Sequence, residues 1–494
     1  MPNEPERTLD PSAHLTSDPD RESYYVLYRD MYDGDHGAQL SDRQAAYLQV
    51  EKTVEFSANH CTTVVDAVAE RLKVTGFKSD AVASTLWEWW GANRMDALQG
   101  VVHLSVVRDG DTFLMVSWDN ELARPVFSHE LAYNGAEGVR VVYSTEHRRK
   151  MEYATKVWKT VLIVDGEAVE GTRLNIYYPD ALYKYVTTGD ITGNADWEEY
   201  KSDEDSRWPI PWVSPKGEPL GIPIVHFRNR DQGMLRGQSE LKSVVPLQRA
   251  LNKAIIDLLA AADTTAFRIF WMLGGNPSSL ELAPGHWVHS DKPPGGPDGA
   301  QFGYFAGEDL GPLISFSDAF VMEIARVSRT PITYFQLSGH RPAEGTLKQE
   351  EAGLVAKVNK CQTDFGNTWE DAMLIALRLS EAFGAGEGAS LAEGEVLSCL
   401  WQEAETRNAS DHLKALQLKA DLGIPREVLW AEMSYSQEEI EAMKELADKE
   451  ADEAIAKAQA RMQIQARILG QQSAADTSTG ETQSQQTTGD ESGS

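Results

Sequence analysis

The sequence is short of what covalent or metal chemistry needs. Its 494 residues hold three cysteines, Cys61, Cys361 and Cys399, far apart and odd in number. That argues against a disulfide framework or a cysteine-based zinc site and suits a reducing cytoplasm. No Gly-x-x-x-x-Gly-Lys-Ser/Thr cradle for nucleotide phosphates occurs, and no Gly-x-Ser-x-Gly nucleophile elbow. The nearest histidine pair, His286 and His289, is spaced by three, which on a strand points the two rings to opposite faces. No metal or cofactor is therefore expected. There is no run of ~18 apolar residues for a membrane span, and the acidic, polar start Met1 to Glu6 is wrong for a secretory signal.

Positive charge is scarce as well. Lys and Arg number 46 against 76 Asp and Glu, a net charge of −30. A protein that grips nucleic acid by its phosphates uses cations and is usually basic. This chain either has nothing to do with nucleic acid or meets it without holding it. With 76 acids chance pairs are certain, so the run Asp203, Glu204, Asp205 reads as a solvated loop and no carboxylate is assigned an acid or base role.

Apolar residues are not scarce: 41% of the chain is hydrophobic, with 13 Trp, 14 Phe and 16 Tyr, enough for a sizeable core. The length suggests roughly three domains. Residues 1–21 read as a flexible arm. From Glu22 to Val68 the pattern is mostly helical, with Phe56, Cys61, Val64, Val65, Val68 and Leu72 on one stripe, and 80–98 read as a further helix. Val101–Val107, Thr112–Trp118, Gly138–Ser144, Lys156–Val164 and Thr172–Tyr178 are short and rich in β-branched and aromatic residues. Asp109-Gly110 and Asp165-Gly166 supply turns, so a β-meander or small barrel is expected. A Pro-rich, charged stretch at 201–223 marks a boundary.

From Gly237 the helical period returns, with Leu241, Val244, Val245, Leu251, Ile255, Leu258 and Leu259 over about 25 residues. Short strands are expected at Phe267–Leu273, His286–His289 and Phe302–Phe305, around a loop at 292–299. A second helix carries Leu313, Phe316, Phe320, Ile324 and Val327 and stops at Pro331. A long helix follows, its stripe marked by Leu347, Leu354, Val358, Cys361, Phe365, Trp369, Ala372, Ala376 and Leu379. Gly353 and Gly366 interrupt it and would let it bend. Residues 395–469 read as helical. The Gln-, Ser-, Thr- and Gly-rich segment 471–494 has no aromatic residue and reads as a disordered tail.

The order helix, compact strands, helix, loop, long helix, helical cap resembles the portal proteins of tailed, siphovirus-type bacteriophages. Several segments carry the resemblance. Met31-Tyr-Asp-Gly34 and the segment Asn59 to Phe77 resemble the early wing of such proteins. Gly237-Gln-Ser-Glu-Leu241 leading to Leu251-Asn-Lys253 resembles the start of their first stem helix. Ser328-Arg-Thr-Pro331, Phe335, Ser338-Gly339 and Glu350 to Lys357 resemble the passage into the long helix, which Phe365-Gly-Asn-Thr-Trp369 continues. Trp401 to Arg407 and Leu422-Gly-Ile-Pro425 resemble the crown. The likeness spans about residues 22–445, and its specificity lies in order and spacing rather than in any one motif.

The resemblance implies an α+β portal-type subunit with these parts: α/β wing 22–236, stem helix 237–265, β-rich clip 266–308, stem helix 309–329, tunnel loop 330–345, long tunnel helix 346–384 and helical crown 385–470. It implies a non-enzymatic ring of about twelve copies at one capsid vertex, conducting double-stranded DNA in packaging and ejection. It further implies partners: terminase large subunit, head–tail adaptor, major capsid and scaffold proteins, but no membrane. The expected location is the virion portal vertex, after assembly in the host cytoplasm. Lys242, Arg249 and Lys253 would form basic belts on the channel, or else a solvated face. His340 and Arg341 would touch phosphates. Tyr334, Phe335 and Leu337 would pack between subunits, and Trp271, His286, His289 and Tyr304 would dock terminase or adaptor. An acidic wall suits such a conduit, because within a Debye length of ~8 Å like charges repel and no phosphate is held for long. The competing readings are an acidic intracellular scaffold or adaptor without a DNA channel, and a metal-dependent hydrolase with paired carboxylates.

Overall fold

A computed structural model describes residues 19–37, 58–273 with short gaps, 301–304, 309–335, 344–384 and 390–482 with short gaps, plus a few positions nearer the N-terminus. Two compact units divide at residue 406/407. The expected crown boundary at 385 therefore falls inside the first unit, because a strand just beyond it belongs there.

The first unit opens with helix α1 (Pro19–Asp33), followed by α2 (Cys61–Ala69), strand β1 (Val74–Lys78), α3 (Ala83–Ala92) and α4 (Met95–Asp109). The arm is not wholly loose. Arg7 ion-pairs with Asp180 at 2.6 Å, and the buried His14 ring meets Tyr153 edge-on at 4.9 Å. Val101–Val107 is part of α4, not a strand. Its β-branched composition favours a strand, but Met95, Gln99, Val102, His103 and Val106 form one buried helical stripe, and packing overrides local propensity. Asn93 and Arg94 break the single helix expected at 80–98, with Arg94 at φ 54°.

Two antiparallel sheets follow. Strands β4 (Gly138–Tyr143), β5 (Met151–Val164), β6 (Glu167–Tyr177), β7 (Ala181–Thr187) and β8 (Glu198–Glu199) run in sequence order, with β9 (Ile210–Pro211) also on β7. Of the turn expected between β5 and β6, Gly166 is described and sits at φ +86°, beside the pairing of Val164 with Glu167, a conformation in which glycine carries no Cβ penalty. Strand β2 (Asp111–Asp119) lies between β3 (Arg124–Glu130) and β10 (Ile224–Arg228), the latter arriving from over 100 residues away. Helix α5 (Val245–Ala266), the paired strands β11 (Phe270–Leu273) and β12 (Gln301–Tyr304), and helix α6 (Gly311–Ser328) come next, and α5 packs on α6.

Helix α7 (Glu344–Phe383) is the spine of the core. Leu354, Val358, Cys361, Phe365, Trp369, Ala372, Ala376 and Leu379 are all buried, on the spacing the sequence shows. Gly366 does not break the helix. A Cβ there would come within 3.1 Å of the Trp401 indole nitrogen, so the glycine makes room for strand β13 (Ser398–Trp401). This strand pairs antiparallel with β1 and replaces helix expected from 395. The second unit comprises α8 (Ala409–Asp421), α9 (Arg426–Glu432) and α10 (Gln437–Thr482). Helix α10 runs on past 471, where a disordered tail is expected: Gln471 to Ala475 are mostly helix-favouring residues that extend the turn already formed.

Within the core, the fully buried His103 ring bridges the Leu72 carbonyl at Nδ1 (2.9 Å) and the Trp369 indole N–H at Nε2 (3.0 Å). The Trp369 N–H is donor only, so Nε2 accepts and the ring is neutral, with Nδ1–H donating. Burial lowers its pKa from 6.5 to about 4, opposed only by the bond to Leu72. As pH falls below 6.5 the unfolded chain therefore takes up this proton first. Stability from the neutral ring is complete above pH 6.5 and is lost progressively as pH falls through 4, a total of about 3 kcal/mol. The check is unfolding free energy against pH for wild type and His103→Gln; parallel curves would refute it.

Candidate functional site

The segment Gly237–Leu241 is where the sheets, the helical pair and the long helix meet. Gly237 threads between Gly110 and Asn229, and a Cβ at this position would run into the Gly110 carbonyl oxygen. Its N–H donates to Asp111 Oδ1 at 2.7 Å. Asp111 also accepts from Tyr25 (2.9 Å) and bonds His226 Nε2 (2.8 Å), while His226 Nδ1 bonds the Tyr143 hydroxyl at 2.8 Å. Burial alone would raise the Asp111 pKa; the bond and charge of His226 overcome it and hold the carboxyl below its usual range. One buried carboxylate thus ties α1, β2, β4, β10 and the lead into α5.

Ser239, whose hydroxyl donates to the Arg108 carbonyl, begins the turn that leads into α5 at Val245; next to it stands Glu240, with its side chain fully buried. Arg230 grips it with both arms, Nε to Oε1 at 2.7 Å and Nη2 to Oε2 at 2.6 Å. Lys357 of α7 donates to Oε2 at 2.9 Å and also to the carbonyl of Ser328, the last residue of α6. Asn229 adds a bond at 3.1 Å. Desolvation would raise the Glu240 pKa, but the adjacent Lys357 and Arg230 charges keep it lowered and ionised. A single carboxylate therefore fixes the entry of α5, the exit of α6 and the middle of α7 to one another. It is fully paired and hydrogen-bonded, the condition under which a buried charge is tolerated.

The residues singled out in the sequence do not converge. Arg249 and Lys253 are exposed one turn apart on α5, and Lys253 is held by Asp257 at 3.0 Å on its own helix. Lys242 is exposed but lies in the turn ahead of the helix, so the expected three-residue stripe shortens to two. Tyr334 accepts from Arg71 at 2.8 Å, and Phe335 packs edge-on against His60 at 5.4 Å, so both have partners within the chain. Trp271 and Tyr304 are exposed on β11 and β12. His286, His289, Leu337, His340 and Arg341 lie outside the described residues. In the sequence, Glu240 and Lys357 both stand within segments that carry the family likeness, and neither is given a role of its own there. The signal was there: Lys357 sits on the apolar stripe between Leu354 and Cys361, where a lysine must bring a buried partner.

Among the described residues no group of His, Cys, Asp or Glu could hold a metal ion. Burial pushes the Cys61 and Cys361 thiols up to about 12 and that of Cys399 higher still, so none is a thiolate nucleophile. Among the described residues no helix is long and apolar enough to cross a membrane.

The family described as "Phage portal protein, SPP1 Gp6-like" matches residues 29–456. This chain belongs to the phage portal protein family. The portal protein of Mycobacterium phage D29 is 24% identical over 412 residues, 78% of each chain, and that of Mycobacterium phage L5 is 23% identical over 415 residues, again 78% of each. Among solved structures, a chain of the "Neck of empty GTA particle computed with C6 symmetry" aligns at TM-score 0.38 and 13% identity. It covers 74% of this chain and 85% of the other. The "Neck of native GTA particle computed with C12 symmetry" gives 0.37 at the same identity and coverage. The mixed α+β architecture is that expected of a portal subunit, and the Glu240 hub lies within the matched region.

Proposed function

We propose that this portal chain is one subunit of a ring of about twelve copies at a capsid vertex, through which double-stranded DNA enters during packaging and leaves during ejection. The observation that carries the proposal is the surface of the α5–α6 pair. Leu259, Ile314, Phe316 and Met322 are each about half exposed there. Apolar side chains gathered on one paired element mark an interaction surface, and identical neighbours packed side by side around an axis would cover them. In this reading α5 and α6 form the stem, β11 and β12 the clip, α7 the long tunnel helix and the second unit the crown.

The net charge of −30 supports a conduit more than a clamp. Where carboxylates face the lumen, they repel phosphates within a Debye length of ~8 Å and leave the duplex free to slide. Arg249 and Lys253, with Lys242 above them and His340 and Arg341 from the loop, would supply the few transient phosphate contacts. Tyr334, Phe335 and Leu337 would border the neighbouring subunit. Trp271, His286, His289 and Tyr304 would meet the terminase large subunit during packaging and the head–tail adaptor afterwards, and the outer part of the ring would meet capsid and scaffold proteins. The subunit itself hydrolyses nothing; a separate ATPase supplies the work. Its place is the virion, after assembly in the host cytoplasm.

Native mass measurement with negative-stain imaging tests this. The expected result is an annular particle of about twelve chain masses with an open centre. Solid particles, or a monomer or dimer at micromolar concentration, would exclude the ring.

A further inference from the structure

Beside the Glu240 hub lies a pocket of about 330 Å³, walled by Asn229 to Asp231, the end of α6 and the middle of α7. Its walls are cationic in a chain that is otherwise strongly acidic. Arg230, Arg329, Lys357 and Lys360 line it, against Asp231 and Asp364. Both acids are already engaged: Asp231 with Arg228 at 3.0 Å, Asp364 with Lys360 at 3.0 Å. With Glu240 behind the wall, the cluster holds five cations and three carboxylates. The guanidinium of Arg329 is exposed and has no ion-pair partner among the described residues.

The backbone points to the same place. Among the described residues, four that are not glycine have positive φ: Arg94, Ala123, Arg230 and Arg329. Two of the four are the arginines of this pocket, at φ 51° and 55°. Arg329 caps the C-terminus of α6 in the left-handed conformation, a position where glycine or asparagine fits with less strain. Strained residues of this kind gather where a side chain is needed in a fixed direction. Arg230 is directed by its two bonds to Glu240, which leave its remaining N–H groups unused by that carboxylate.

We propose that this pocket binds a phosphate-class oxyanion, with Arg329 and Lys360 closing on it and Arg230 and Lys357 supplying fixed positive charge from behind. Guanidinium groups match the planar, two-point geometry of phosphate oxygens, and charge-assisted bonds of this kind are the strong ones. The volume admits one such group with its first waters. The source is either free phosphate or a phosphate of a nucleic-acid backbone. The site does not depend on ring assembly.

Arg329→Gly is the informative variant, because glycine suits the backbone conformation and removes only the side chain. The probe is inorganic phosphate, added to the full-length chain against chloride at matched ionic strength, with melting temperature and equilibrium dialysis as readouts. Wild type is expected to bind about one phosphate per chain and to melt higher in phosphate than in chloride. Arg329→Gly is expected to melt no lower than wild type in chloride and to bind phosphate at least about fivefold more weakly. Lys360→Gln, on an exposed helix face, should weaken binding in the same direction. A short DNA duplex that displaces the bound phosphate assigns the site to the nucleic-acid backbone; a duplex that does not assigns it to free phosphate. Equal melting shifts in phosphate and chloride, or unchanged phosphate affinity in both variants, would overturn the proposal whatever the oligomeric state.

Discussion

Glu240→Ala is expected to destabilise the portal subunit by about 3–5 kcal/mol, the cost of leaving buried charge without its partner. Lys357 is itself buried and, among the described residues, has no carboxylate partner but Glu240; its other hydrogen bond goes to the Ser328 carbonyl. Arg230, about one-third exposed, has water to fall back on, so Lys357 carries most of the penalty. A second replacement should therefore rescue the first. In Glu240→Ala with Lys357→Met, the stranded ammonium is gone and an apolar chain of similar length fills its path along α7. Recovery of a large part of the loss is expected in urea unfolding, with the two singles and the double forming a cycle. A loss below about 1 kcal/mol in the single variant would mean that water enters the hub and the three helices are not fixed by it.

Trp369→Ala is expected to cost about 3–5 kcal/mol by a different route. The ring has no exposed surface and sits edge-on to Trp90 at 5.1 Å and to Phe227 at 4.9 Å. Alanine leaves a cavity among β10, α3 and α7 and removes the indole N–H that donates to His103 Nε2. Trp369→Phe keeps most of the volume and loses the N–H, so it separates packing from hydrogen bonding and should cost less than half as much. The melting temperature of both variants decides this; equal effects would show that the indole bond, not the packing, matters.

The sequence made some of this plain and hid the rest for identifiable reasons. The stripe on α7 was legible because every fourth or third residue from Leu354 to Leu379 is apolar and the helix is long enough for the period to be unambiguous. The turn at Gly166 was legible because its positive φ favours glycine. The strand content of Val101–Val107 was misread because short β-branched runs do not distinguish a strand from a buried helix. Strand β13 was hidden by its four-residue length and by its dependence on a partner in β1. The Glu240 hub was hidden because its four contributors, Asn229, Arg230, Glu240 and Lys357, span nearly 130 positions and carry no spacing that marks them as a set. The segment around Glu240 carries the family likeness, but its physical task arises only where the folded chain brings Arg230 and Lys357 to it.

The pairing of β1 with β13 has a consequence for how the polypeptide is made. Lys78 meets Ser398, so the first strand leaves the ribosome about 320 residues before its mate. At roughly 5–20 residues per second that is a wait of about 20–60 s. Throughout it, Phe77 and the unpaired strand edge are open to wrong partners. Closing so long a loop is slow, and many nascent copies made side by side in an infected cell would share the hazard. Yield of soluble protein should then depend on synthesis rate and on chaperone supply more than on the stability of the finished fold.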